Sequence, residues 1–137
     1  MKKFHYFIFL FVILPCFFAS NESFPQDRFN YSETWNSWGK NERLNWVLGF
    51  GMGQDLIFEE LKIKEKKKYK YYVGPYDVDL ISDTMTQYYK DAANSRIPWQ
   101  YMAYVAKMKL KGKSHLEIEK ELELLREYVD WQRKPKE

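Results

Sequence analysis

Cysteine is almost missing from this chain. Its one copy, Cys16, lies close to the N-terminus. An internal disulfide framework is therefore excluded, and the body of the chain has no thiol for a Cys–His nucleophile pair. Histidine is nearly as scarce, with His5 and His115 the two copies. Zinc sites draw on several His or Cys ligands, so no metal site is expected. His115 reads instead as a solvated residue in the first turn of a helix. A serine hydrolase would have only that imidazole in the body of the chain, and no Gly-x-Ser-x-Gly elbow accompanies it. No apolar run reaches the roughly 20 residues that cross a bilayer as a helix. No cofactor motif is present either.

The N-terminus has a layout of its own. MKKFHYFIFLFVILPCFFAS places Lys2 and Lys3 before an apolar run from Phe4 to Leu14, then Pro15 and the small residues Ala19 and Ser20. That order predicts a secretory signal peptide over 1–20. Cleavage after Ala19 or Ser20 is one alternative. Lipidation at Cys16 is the other, because Ile13-Leu14-Pro15-Cys16 resembles a bacterial lipoprotein box. The protein is expected to be exported, to the periplasm or beyond, with a lipid anchor at Cys16 as the membrane-bound variant.

The formal charge of the chain is +3, and without Lys2 and Lys3 it falls to +1. A dedicated nucleic-acid binder carries a clearer basic excess, so none is expected. The local exception is KIKEKKKYK at 62–70, with six lysines and one glutamate. Lys66, Lys67, Lys68, Tyr69, Tyr71 and Tyr72 interleave charge with aromatics. Two readings stand: a solubilised helix end beside a turn, or a surface for anionic lipid or wall polymer.

Residues 21–37 show no sustained period and predict an irregular lead-in. A helical domain is expected over 38–133, followed by a polar tail at 134–137. Its first helix should run from about Asn41 to Lys66, with apolar stripes of Leu44, Val47 and Leu48 and of Trp46, Phe50, Ile57 and Leu61. A Gly-Pro turn at Gly74-Pro75 breaks the chain, and Tyr69–Val73 reads as a short extended segment. The second helix should span about Asp77 to Asp91, with Val78, Ile81, Met85, Tyr88 and Ala92 on one face. Asp77, Asp79 and Asp83 are carboxylates of a size for acid–base work, but a helix's first turns favour anions and the spacing reads as dipole matching. Asn94 would stop this helix in the left-handed conformation. The third helix should open at Pro98 and close at Gly112, and should be the most buried. Ser114-x-x-Glu117 is a capping box, and Ile118, Leu122, Leu125 and Val129 carry the fourth helix to about Arg133. Four helices with short links predict a small all-α four-helix bundle.

LGFGMGQDLIF, residues 48–58, spaces three glycines two apart. A dinucleotide loop would need a further glycine where Gln54 stands, and a P-loop would need Gly-Lys-Ser/Thr. The segment reads as helix, where each glycine costs about 0.8–1 kcal/mol against alanine. Gly49 and Gly53 share a face, so a close neighbour pressing on them is the expected compensation. On that view Gly49→Leu should cost several kcal/mol through overpacking, roughly the upper range of such costs.

YYKDAANSRIP, residues 88–98, resembles a motif of small exported bacterial helical proteins of unassigned function. Its elements here are Tyr89, Asp91, Asn94, Ile97 and Pro98, with Trp38, Arg43, the Trp46–Gly49 stretch, Gly112 and Ser114 in matching places. The layout is more distantly similar to the periplasmic immunity proteins that neutralise type VI secreted amidases. That resemblance implies a helical domain that plugs an enzyme's cleft, often as a dimer. The charges of the motif predict an Arg43–Asp91 ion pair that ties two helices. The expected function is non-enzymatic: binding of a protein partner in the envelope through an aromatic surface, with homo-oligomers an option. A structural envelope component, lipid-anchored at Cys16, is the alternative.

Overall fold

A computed structural model of the chain describes residues 29–132. Five α-helices and no strand lie among the described residues: α1 (Tyr31–Ser37), α2 (Lys40–Glu60), α3 (Val78–Tyr88), α4 (Trp99–Leu110) and α5 (His115–Gln132). The protein is thus all-α, but the described helices number five where four were expected. The leader expected over 1–20, Cys16 and the tail expected at 134–137 lie outside the described residues. No helix of the described residues is long and apolar enough to cross a membrane.

The extra helix, α1, falls within the stretch expected to be irregular. Local pattern hides it because seven residues make only two turns. Long-range contacts hold it instead. Asn30 caps it by accepting the Glu33 N–H, and Trp35 is fully buried. The Trp35 indole N–H donates to Thr86 Oγ1 at 3.0 Å, and the Trp99 indole N–H donates to the Tyr31 carbonyl at 3.0 Å. Four tryptophans meet around this helix. Trp38 lies 4.7 Å from Trp99, and Trp46 lies 5.9 Å from Trp35 and 5.7 Å from Trp99, centroid to centroid. Such rings contribute both area and edge-to-face attraction.

α4 is the buried centre, as its pattern predicts. Met102, Ala103, Val105 and Ala106 are all fully buried, and the helix packs on α3 and on α5. α3 in turn packs on α2. Ile81 and Met85 fill the α3 face, while Ile118, Leu122 and Leu125 fill that of α5.

Helix ends explain most boundary differences. α2 stops at Glu60, six residues short of the expected Lys66. Lys62 takes a left-handed φ of 55°, and the Ile63 N–H donates to the Phe58 carbonyl while the Lys62 N–H donates to that of Glu59. This is the double hydrogen bond of a Schellman stop, made with lysine where glycine is usual. α4 ends the same way with the usual residue: Gly112 has φ 75°, and the Lys113 N–H reaches the Met108 carbonyl. The Ser114 box forms as expected, with Glu117 accepting the Ser114 N–H at 2.9 Å. The Lys113 hydrogen bond and then the Ser114 donors hold the Glu117 carboxyl down to about 2.

Candidate functional site

Three places gather polar or aromatic side chains. The first is a seam between α2 and the connector residues Tyr71–Gly74. The extended segment expected at Tyr69–Val73 begins instead with a turn, in which the Tyr72 N–H donates to the Tyr69 carbonyl. Gly51 is buried there, and a Cβ built on it would lie 2.2 Å from the Gly74 carbonyl oxygen. Nothing comes within 4 Å of a Cβ at Gly49 or Gly53. The close packing expected at Gly49 and Gly53 is therefore absent, and it is the glycine between them, Gly51, that a neighbour presses on. Their face points outward, and the neighbour that α2 accommodates is loop backbone, not another helix. One turn on, Gln54 completes the seam. Its carbonyl accepts from the Val73 and Gly74 N–H groups at 2.8 and 3.1 Å, and its NH₂ donates to the Tyr71 carbonyl at 2.8 Å. One amide thus replaces the strand that Tyr71–Gly74 lacks, satisfying backbone groups that would otherwise be costly to bury. Beside it Asp55 accepts from the Tyr72 hydroxyl at 2.7 Å and from Lys66 at 3.0 Å. The Tyr72 hydrogen bond, then Lys66, keeps the Asp55 carboxyl below its usual range. Burial, then Asp55, pushes the Tyr72 hydroxyl up to about 12.

The second place is the corner between α3 and α4, where the tyrosine–asparagine–proline motif lies. Tyr89 is buried, and its hydroxyl donates to the Ile97 carbonyl at 2.7 Å. Burial raises its pKa well above the ordinary tyrosine value. Asp91 caps a 3-10 turn, Ala92–Asn94, by accepting the Ala93 N–H at 2.9 Å. Asn94 sits in that turn and does not adopt the left-handed stop expected of it; its amide is used for tertiary contact. The NH₂ donates to the Tyr88 carbonyl at 2.9 Å, and the oxygen accepts from Arg126 Nε and Nη2 at 3.0 and 2.7 Å. Arg126 also lies 3.6 Å from Asp91. The cation at this corner therefore comes from α5, and the expected Arg43–Asp91 pair is not what forms. Arg43 lies in the first turn of α2, whereas α5 packs against the 3-10 turn itself. Pro98 caps α4 one residue before its first turn. The motif is an interlocked corner, with its polar groups committed to one another.

The third place concerns the lysine–tyrosine run, which the structure divides. Lys66 and Tyr72 serve Asp55. Lys68 pairs with Glu65, Lys70 with Glu121 at 2.8 Å, and Tyr69 leans on Phe58 at 4.9 Å. Lys67 is exposed. Tyr71 turns the opposite way and starts a row of rings: 5.1 Å to Tyr101, then 6.1 Å to Tyr128, then 6.4 Å to Trp131. Trp131 is 66% exposed and Tyr128 40%. Sequence reading missed this row because its members come from a connector, α4 and α5. The one local signal is Tyr128-x-x-Trp131, three apart on one helix face.

His115 is exposed and 4.0 Å from Glu119. Among the described residues no group of three or more His, Cys, Asp or Glu is placed to hold a metal ion. Compared with family models, with curated proteins and with solved structures, the chain finds no match in any of the three.

Proposed function

We propose that this chain is a non-enzymatic helical domain that binds a protein partner in the bacterial envelope. The observation that carries the reading is the row Tyr71–Tyr101–Tyr128–Trp131, in which Tyr101 is half-buried and the other three are exposed. Tyr and Trp dominate the few residues that supply most binding energy at protein interfaces, because they offer large rigid area with a polar tip. Each added ring of this row is preordered by its neighbour, so little side-chain entropy is lost on binding. The leader-like N-terminus supports the compartment. The resemblance to periplasmic immunity proteins supports a narrower version, in which the ridge enters an enzyme's cleft. The second motif supports a scaffold role for the rest: its amide, guanidinium and carboxylate are used up in holding α3, α4 and α5.

A photo-crosslinking residue at position 131 tests this in the organism's own envelope extract. A discrete protein adduct is expected from position 131 and not from position 83, which is exposed on α3. Tyr128→Ala should abolish the adduct while leaving the helical circular dichroism unchanged. Equal labelling from both positions, or adducts with glycan alone, would overturn the reading.

A further inference from the structure

A cleft of about 860 Å³ opens between the lysine connector, the Tyr72–Asp77 segment and the end of α4. Six lysines and three carboxylates line it. The carboxylates are each answered: Asp55 by Lys66, Glu65 by Lys68, and Asp77 by Lys107 at 3.4 Å. Three cations are left over, Lys64 and Lys67 from the connector and Lys111 from the cap of α4, and all three are exposed. The hydroxyl of Tyr76, 66% exposed, borders the same space. The last turn of a helix repels anions, but the full charge of Lys111 at the α4 cap outweighs the roughly half charge of that terminus. A pocket with three unpaired ammonium groups, no unpaired carboxylate and a free hydroxyl fits an anion with several oxygens.

We propose that this cleft is a binding site for phosphoryl groups, carried on an oligophosphate chain or on a lipid headgroup. The site differs from the one expected along the lysine run. Of the six residues singled out there, Lys66, Lys68 and Tyr72 are held by carboxylates, Tyr69 leans on Phe58 and Tyr71 faces elsewhere. Lys67 remains and is joined by two lysines distant in sequence from each other. Ammonium groups act as point charges toward phosphate and need no fixed fork, which suits a cleft whose cations sit on a connector and a helix cap. It is also independent of the aromatic row, which uses other residues.

The test measures binding of the full chain to tripolyphosphate by calorimetry, and to phosphatidylcholine vesicles with and without phosphatidylglycerol by sedimentation. Two triple variants with equal charge change are compared: Lys64→Gln/Lys67→Gln/Lys111→Gln in the cleft, and Lys40→Gln/Lys90→Gln/Lys120→Gln outside it. The cleft triple should lose about tenfold or more in affinity and show a shallower salt dependence, and the outer triple far less. The singles Lys64→Gln and Lys111→Gln should each give part of the loss, which keeps the test intact if the triple folds poorly. Selective loss with tripolyphosphate supports a free oligophosphate, and selective loss with the anionic vesicles alone supports a headgroup. No binding to either probe, or equal losses in the two triples, would overturn the site.

Discussion

Two side-chain amides do the same job in this protein under different conditions. Asn94 pins the corner of α3, α4 and α5, and Gln54 pins the connector Tyr71–Gly74 to α2. Each donates once to a backbone carbonyl and accepts twice through its oxygen. Asn94 is 1% exposed and two of its three bonds are to a guanidinium, whereas Gln54 is only half-buried and its partners are all backbone. Solvent reaches the Gln54 amide where it does not reach that of Asn94, although the Val73 and Gly74 N–H groups that Gln54 accepts from are themselves buried. The lesson is that an identical bonding pattern has a stability value set by burial. Around Gln54 the decisive element is steric: Gly51 lets two backbones touch.

The sharpest way to break this comparison is at the glycines. Gly51→Ala puts a Cβ 2.2 Å from the Gly74 carbonyl. It should destabilise by about 3 kcal/mol in urea denaturation, because backbone rather than a side-chain tip must move. Asn94→Ala comes next, at about 2–3 kcal/mol, since it strips a buried amide and leaves the Arg126 N–H groups and the Tyr88 carbonyl short of partners. Gln54→Ala should cost about 1–2 kcal/mol, because solvent reaches the Tyr71 carbonyl while the buried Val73 and Gly74 N–H groups lose their acceptor. A loss equal to that of Asn94→Ala would refute the burial argument. Gly49→Ala and Gly53→Ala should go the other way and raise stability by about 0.8 kcal/mol each, as each side chain meets open space in a helix.

The smallest effect is on pH. Tyr72 ionises at 10.0 in an unfolded reference and at about 12 in the fold. The unfolded chain therefore releases this proton first, so the Tyr72 contribution is complete below pH 10 and fades as pH rises toward 12. Thermal melts across that window should show a steeper alkaline decline in the parent chain than in Tyr72→Phe.

Legibility followed the range of the interactions. The Ser114 box and the stripe Ile118–Leu122–Leu125 were readable because cap and stripe are set within a few residues. The burial of α4 was readable for the same reason. The end of α2 was not, because Lys62 occupies a conformation that sequence assigns to glycine. The wide apolar face expected of α2 was half wrong: Val47 is in the core, but Leu48, Ile57 and Leu61 are 39–65% exposed. Periodicity gives the phase of a stripe and not which side of it finds a partner.

What the chain determined locally is an all-helical protein: the apolar periods, the caps and the turn residues each act over one or two turns, and one-dimensional order is enough to encode them. Tertiary structure alone decided which glycine is indispensable, which arginine meets Asp91, and that lysines 64, 67 and 111 share one cleft. Those outcomes depend on how helices turn about their axes and which neighbours they meet. That choice is made by the packing of Trp35, Trp46 and Trp99 and the rest of the core together, and no short window of sequence contains it.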